Sequence, residues 1–388
     1  MFSARTRWEL TPNRLARILK AKRTAGCPVI DMTESNPTRA GIPYPLDLLT
    51  PLADPAGLRY EPSPFGLEPA REAVAADFAR RGFPLRPDRV LLTASTSEAY
   101  SLLFKLLCDP GDEVLVPRPG YPLFDYLAGL ESVRVVSYPL EYDGGWRLDV
   151  AAVAAAVTAR SRAVVTVNPN NPTGSYLKRD EARALRALCA ERGLALISDE
   201  VFADYAVGED PSRMASVAED GSGLAFALGG LSKSCALPQL KLAWIATSGP
   251  EGLRDQALSR LEVVADAFLS VGTPVQLAAP SLLARRAELQ APIQARLREN
   301  RDALRAHLDL SSPARLLEAE GGWYAVLRVP ATHPEEERVA RLLEQSNVLV
   351  HPGYFFDFPG EAYLVLSLLP PPPLFAEGLG RILDSLML

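Results

Sequence analysis

Short apolar runs alternate with segments of helical period over residues 89–247. Apolar residues recur at intervals of three and four between the runs, for example over residues 98–107 and 179–192. Strands that alternate with helices pair in parallel, and the helices then cover both faces of the sheet. The pattern therefore predicts an α/β domain with a mostly parallel sheet of seven strands, in the runs RVLLT, DEVLVP, VRVVSYPL, RAVVTVNP, LALISDE, AFALGG and LKLAWIAT.

The two ends of the chain show a different pattern. An amphipathic stretch at residues 12–22 precedes the Pro- and Gly-rich segment TESNPTRAGIPYP. Residues 274–308 have the period of one or two long helices, and the runs GGWYAVLRVP, VLVHPGYFF and AYLVLSLL then predict strands. We expect a large domain at residues 46–279 and a smaller α+β domain that residues 1–45 and 280–388 form together.

Composition excludes several classes of protein. Of the 388 residues 48% are hydrophobic, and the net charge of −6 comes from interspersed charges of both signs, which excludes a disordered chain and a nucleic-acid surface. No segment approaches the roughly 20 apolar residues that span a bilayer. The three histidines form no metal motif, and the four cysteines have no CxxC spacing. We expect a cytoplasmic protein that binds no nucleic acid, membrane or metal.

Two strand ends carry residues whose side chains are suited to catalysis or ligand binding. Lys233 follows the run AFALGG in a loop of small residues, where burial would lower the pKa of its amine and make it a nucleophile. Asp199 ends the run LALISD, at the carboxyl edge where α/β sheets bind ligands. A surface lysine in a turn and a helix N-cap are the ordinary interpretations of these residues.

Three further strand ends add polar and aromatic groups. Asn171 lies in the loop NPNNPTG, and Tyr121 follows EVLVPRPG in a turn. Ser95, Thr96 and Ser97 precede a helix, so that they form either an anion site or an ordinary helix cap. Each segment has a simple structural interpretation by itself. Together, a lysine, an acid, an amide, an aromatic ring and an anion cradle match the needs of pyridoxal 5'-phosphate.

Over essentially its whole length the sequence resembles the fold-type I, class I/II aminotransferases, through YEPSPFGLEPAR, LTASTSEA, PRPGYP, NPNNPTG, SDEVFADY and LSKSCALPQLKLAW. The resemblance implies that Lys233 forms the Schiff base with the cofactor and moves the substrate proton. It implies that Asp199 keeps the ring nitrogen protonated, that Asn171 bonds the ring oxygen and that Tyr121 stacks on the ring.

The resemblance also implies a phosphate site and an assembly. Ser95, Thr96 and Ser97 would bind the phosphate together with Lys241. Tyr60 would reach the phosphate of the neighbouring subunit, in a homodimer whose active sites are shared.

Three positions depart from the family's pattern. Lys241 stands where an arginine usually forks onto the phosphate, so the charge remains without the bidentate geometry. Phe202 replaces a tyrosine that usually bonds the ring oxygen. Val365 replaces the arginine that clamps the substrate α-carboxylate, and a valine cannot bind a carboxylate.

The N-terminal loop ESNPTRAG offers candidates for substrate binding. Arg39 is a candidate for a substitute clamp, with a solvated loop arginine as its ordinary interpretation. Ser35 stands where the family usually has a glycine that lines the substrate pocket, and Glu34 favours a cationic or amine substrate.

The sequence therefore predicts an aminotransferase that moves an amino group between an amino acid, or an amine, and a keto acid in a ping-pong cycle. The missing clamp keeps a lyase, decarboxylase or oxidase open as an alternative. A non-catalytic sensor that binds pyridoxal phosphate would need a DNA-binding domain, which the roughly 45 residues ahead of the main fold do not resemble.

Overall fold

The structure is a computed structural model, and it describes residues 1–219, 221–308 and 312–387. The strands in these residues are β1 (Ile30–Asp31), β2 (Val90–Thr93), β3 (Glu113–Arg118), β4 (Arg134–Tyr142), β5 (Trp146–Leu148), β6 (Ser161–Val167), β7 (Ala195–Asp199), β8 (Ala225–Gly230), β9 (Ala243–Ser248), β10 (Arg315–Leu316), β11 (Tyr324–Arg328), β12 (Val348–Leu349), β13 (His351–Pro352) and β14 (Tyr363–Ser367).

The α-helices in the same residues connect and cover these strands. They are α1 (Arg14–Thr24), α2 (Glu68–Arg80), α3 (Thr96–Leu107), α4 (Phe124–Leu130), α5 (Val150–Ala156), α6 (Arg179–Arg192), α7 (Leu231–Ser234), α8 (Glu251–Asp266), α9 (Thr273–Ala284), α10 (Arg286–His307), α11 (Glu335–Ser346) and α12 (Pro372–Leu386). No helix of the described residues is both long and apolar enough to cross a membrane.

The large sheet has the strand order β2-β9-β8-β7-β6-β3-β4-β5. Strands β8, β7, β6, β3 and β4 pair in parallel, whereas β9 and β5 run antiparallel to their neighbours. The predicted fold class is confirmed, and each of the seven predicted runs forms a strand. The sheet has eight strands in the described residues because β5, only three residues long, folds back on β4.

Both faces of this sheet are buried. Side chains of successive residues point to opposite faces of a strand, so Val164 and Val165 of β6 enter different hydrophobic clusters. Leu196 joins Val164 on one face, while Ile197 joins Val165 on the other. Burial on two faces explains why these strands have continuous apolar sequences instead of an alternating pattern.

Segments from both ends of the chain pack together. A four-stranded antiparallel sheet has the order β10-β11-β14-β13, and β1 pairs in parallel with β12. Trp323 and Phe375 are fully buried in the hydrophobic cluster beside them. The domain division at residues 45/46 and 279/280 stays a prediction, and its second boundary falls within α9.

Candidate active site

A cavity of about 350 Å³ lies at the carboxyl ends of the central parallel strands. Nine of its lining residues were predicted from the sequence as site residues: Ser35, Ser95, Thr96, Ser97, Tyr121, Asn171, Asp199, Lys233 and Lys241. They come from loops and strand ends that are far apart in the chain. The parallel sheet brings them together because its strands end at one edge.

Lys233 lies in the short helix α7, directly after β8. Its Nζ is 4.6 Å from the ring centroid of Trp323 and 5.3 Å from that of Phe202. Burial lowers the pKa of this amine from 10.5 to about 8, while the negative charge of Asp199 opposes the shift. The Tyr205 hydroxyl donates to the Lys233 carbonyl oxygen at 2.7 Å and fixes the backbone. Near neutral pH a useful fraction of the amine is therefore unprotonated and nucleophilic.

Asp199 is the last residue of β7 and is buried. Its Oδ1 accepts from the Val201 N–H at 3.2 Å, and its Oδ2 accepts from the Tyr100 hydroxyl at 3.2 Å. Burial raises the pKa of this carboxyl to about 6, although both hydrogen bonds favour the charged form. The site thus presents a desolvated carboxylate, which a cationic ring nitrogen would stabilise.

The first turn of α3 faces the cavity. Ser95 caps the helix because its Oγ accepts from the Glu98 N–H at 3.1 Å, and Thr96 and Ser97 follow it on the cavity wall. Unpaired N–H groups and the helix dipole make such a turn attractive to anions. Lys241 adds a positive charge to the same cavity from a left-handed backbone conformation with φ of 53°.

Asn171 and Tyr121 complete the cavity wall. The Asn171 Oδ1 is buried and has no hydrogen-bond partner among the described residues. An amide with an unpaired polar atom in a cavity wall indicates a missing polar partner. Burial raises the pKa of Tyr121 to about 12, so its hydroxyl stays protonated, and its ring packs edge-on against Phe124 at 5.7 Å.

Comparisons with known proteins place this geometry in a family. Residues 52–367 match the family model for aminotransferases of class I and II. The chain belongs to this family. An alanine aminotransferase of Mycobacterium tuberculosis is 30% identical over 315 residues, 79% of this chain and 73% of that protein. A solved alanine aminotransferase from Pyrococcus furiosus has a TM-score of 0.91 and 24% identity, over 100% of both chains.

A lyase is also among the relatives of this aminotransferase. An S-alkyl-thiohydroximate lyase of Arabidopsis thaliana is 30% identical over 226 residues. The match covers 56% of this chain and 48% of that protein, so the chain matches about half of the lyase's length.

The cofactor of the aminotransferase is pyridoxal 5'-phosphate. The residues of the cavity fit it, since a buried carboxylate, a lysine amine, an anion-binding helix turn and an amide whose NH2 group can donate to a ring oxygen face one space. We propose that Ser95, Thr96, Ser97 and Lys241 hold the phosphate, that Asp199 and Asn171 hold the ring polar atoms, and that Tyr121 covers a ring face. These roles remain predictions from the sequence.

Sequence patterns missed three aromatic residues of the site and gave a fourth, Phe202, only as a departure from the family's motif. Trp323 and Phe202 present their rings to the Lys233 amine, Tyr324 lines the cavity, and Tyr100 donates to Asp199. Trp323 and Tyr324 lie within an apolar run that signals only a strand. Phe202 had the one usable signal, since it replaces the family's tyrosine within the motif SDEVFADY.

Two predicted site residues do not line the cavity. Arg39 is on the outer side of its loop, where its Nε is 3.2 Å from Glu34 Oε2 and its side chain is 68% exposed. The proposed substitute clamp is therefore absent from the cavity wall of the described residues. Tyr60 is 77% exposed and lines a different surface pocket. That exposure leaves its ring accessible to a second subunit.

The replacement Lys241→Arg is expected to tighten cofactor binding about fivefold to tenfold, because a guanidinium forks onto a phosphate through two hydrogen bonds. The cofactor dissociation constant, measured by reconstituting the cofactor-free protein, checks this. Lys105→Arg makes the same change on α3 outside the cavity and should leave the constant unaltered. An unchanged constant in Lys241→Arg would place Lys241 away from the phosphate.

Proposed function

We propose that this aminotransferase works by a ping-pong cycle in which Lys233 is the base and acid that moves the substrate proton. One observation carries the proposal. The Lys233 amine shares a single cavity with the buried Asp199 carboxylate and the first turn of α3. A nucleophilic amine, an acid for a ring nitrogen and an anion site are the three groups that the chemistry requires.

The residues of the chain divide this work among them. When bound, the cofactor withdraws electrons from the substrate's amino carbon. Lys233 takes the proton from that carbon and returns it, because its pKa of about 8 lies close to neutral pH. The faces of Trp323 and Phe202 stabilise the amine while it is protonated. Asp199 stays ionised beside the ring nitrogen because Val201 and Tyr100 donate to it.

We also propose that the aminotransferase is a cytoplasmic homodimer with shared active sites. The exposed Tyr60 ring supports a site completed by a second subunit. The cysteines Cys27, Cys108, Cys189 and Cys235 are all free thiols, which fits a reducing compartment.

A single-turnover experiment tests the proposed reaction. The purified protein with bound cofactor is mixed with a panel of amino donors while the cofactor absorbance is followed. Conversion to a stable pyridoxamine form, which an added keto acid reverses, is the expected result. Release of ammonia or CO₂ without that form would instead identify a lyase or a decarboxylase.

Tyr60→Phe is expected to weaken cofactor binding about fivefold to tenfold, since one hydrogen bond to a charged phosphate oxygen is lost. Tyr354→Phe changes another exposed tyrosine in the same way and should have no effect. Light scattering should give twice the chain mass for all three proteins. A monomer, or a cofactor affinity that does not respond to Tyr60→Phe, would contradict the shared site.

A further inference from the structure

We propose that this site also accepts primary amines without a carboxylate as amino donors, and that Ser35 and Tyr324 are its specificity-determining pair. The inference rests on the proposed aminotransfer function and deepens it.

Val365 lies among apolar and neutral side chains on its sheet face, since burial lowers the pKa of the neighbouring His351 to about 4. The Val365 side chain is fully buried, and its direct neighbours across the sheet are Val326 on β11 and His351 on β13. Trp146, Phe356 and Phe358 pack with it in one apolar cluster. A buried charge is stable only when it has a partner of opposite charge or hydrogen bonds. At the position where the family has its guanidinium, this cluster provides an apolar environment instead.

A pair of neutral hydroxyl groups lies at the edge of the same face. Tyr324 is opposite Ser367 on β14, two residues beyond Val365, so the side chains of all three point to one side of the sheet. The Ser35 side chain interacts with the Tyr324 hydroxyl, and both residues line the cavity. Burial and the negative charge of Glu34 raise the pKa of Tyr324, so this hydroxyl remains neutral.

The position of Ser35 is held by the end of β14. The Ser367 Oγ donates to the Glu34 carbonyl oxygen at 2.7 Å, and the Ser367 N–H donates to the Met32 carbonyl oxygen at 2.7 Å. These two bonds fix the backbone on both sides of Thr33. Ser35 therefore belongs to an ordered wall of the cavity.

The charged residues that line the cavity have roles other than binding a substrate carboxylate. Among its lining residues, all within the described part of the chain, Asp199, Lys233 and Lys241 carry charge. Lys233 reacts and Lys241 faces the phosphate in the proposed function. A substrate carboxylate beside Ser35 and Tyr324 would find hydroxyl donors without a positive charge. Neutral hydroxyl donors distinguish a carboxylate from a methyl group only weakly. A guanidinium distinguishes them strongly, because its loss from a buried pair with a carboxylate weakens binding about a hundredfold or more.

The reaction with an amine is balanced by the same second substrate. The C–N bond of the amine breaks, and its carbon is oxidised to a ketone or an aldehyde. The nitrogen forms a new C–N bond on a 2-oxo acid, which is thereby reduced to an amino acid. The amine carbon loses one hydrogen, and the carbon of the 2-oxo acid that receives the nitrogen gains one. No other oxidant or reductant is therefore needed.

A matched pair of unreactive ligands tests the recognition without requiring turnover. 2-Methylalanine and tert-butylamine differ in that a methyl group replaces the carboxylate, and neither has a hydrogen on the amino carbon. Their dissociation constants for the protein with bound cofactor are measured by absorbance titration and corrected to the free-base concentration. We expect the two constants to agree within about tenfold. A larger preference for 2-methylalanine would overturn the inference and indicate a cation from the second subunit.

Two variants identify the groups that act. Ser35→Ala and Tyr324→Phe are each expected to weaken 2-methylalanine binding about fivefold to tenfold while tert-butylamine changes less than about twofold. Tyr363→Phe, on β14 outside the cavity lining, is the matched control and should change neither constant. If 2-methylalanine bound equally well to both variants, Ser35 and Tyr324 would not be the specificity-determining pair.

The reactive pair alanine and isopropylamine separates failure of this inference from failure of the proposed function. We expect both to convert the cofactor to its pyridoxamine form, with acetone released from isopropylamine. Conversion by alanine or another amino acid alone would overturn the inference and leave the proposed function standing. Conversion by no donor would overturn the proposed function, while the binding ratio would still report on the wall at Ser35 and Tyr324.

Discussion

Replacing Lys233 by alanine is expected to lower kcat for transamination about 10⁴-fold, because the variant loses the group that takes and returns the substrate proton. Steady-state kinetics with the best donor and a keto acid check this. The variant should still bind the cofactor, since the phosphate cradle at Ser95, Thr96 and Ser97 is untouched. Lys20→Ala, on the exposed side of α1, is the matched control and should keep full activity.

Two chemical measurements connect this loss to the amine itself. Borohydride reduction of the protein with bound cofactor should place the pyridoxyl group on the peptide that contains Lys233, and a group on any other lysine would contradict the assignment. In the cofactor-free protein, the rate at which an amine reagent modifies Lys233 should rise with pH as the amine loses its proton. The rate should be half-maximal near pH 8, because burial lowers the pKa of the lysine to about 8.

Asp199→Asn is expected to lower kcat about 10²- to 10³-fold with little change of fold. The amide keeps the size of the side chain but carries no negative charge, so a protonated ring nitrogen is no longer stabilised. Kinetics and the amount of bound cofactor, measured together, distinguish a catalytic loss from a loss of cofactor.

Asp255→Asn makes the same chemical change at an exposed position of α8 and should leave kcat unaltered. Tyr100→Phe removes one donor to the Asp199 carboxylate and should give a smaller loss, about tenfold. An Asp199→Asn variant with normal kcat and full cofactor would show that this carboxylate does not serve the ring nitrogen.

Sequence patterns predicted the polar part of the cavity well because of the geometry of parallel sheets. Asp199 and Lys233 each follow an apolar run, and the carboxyl ends of β7 and β8 are neighbours in the sheet. A residue just past a run that forms one of the parallel strands lies at the ligand-binding edge, whatever the order of these strands. The short β5 was missed because three residues are too few to show a period.

The aromatic part of the site depends on packing that no period in the sequence encodes. Trp323 reaches Lys233 because the small sheet packs against the end of the large one, and Tyr205 fills the space beside it. Arg39 lies outside the cavity because of the backbone conformation of its own loop. The Asn36 side chain accepts from the Thr38 N–H at 3.0 Å, and the resulting turn carries Arg39 outward to Glu34.

The pairing of β1 with β12 has a consequence for biosynthesis. Lys22 and Glu344, which meet beside this pair, are 322 residues apart in the chain. At a translation rate of about 5–20 residues per second, the N-terminal segment waits on the order of tens of seconds for its partner. Ser35 lies four residues after β1 and is held by Ser367 of β14, so the substrate-facing wall forms only after β14 has been synthesised. A nascent chain therefore stays without a finished substrate site until β12 and β14 have left the ribosome.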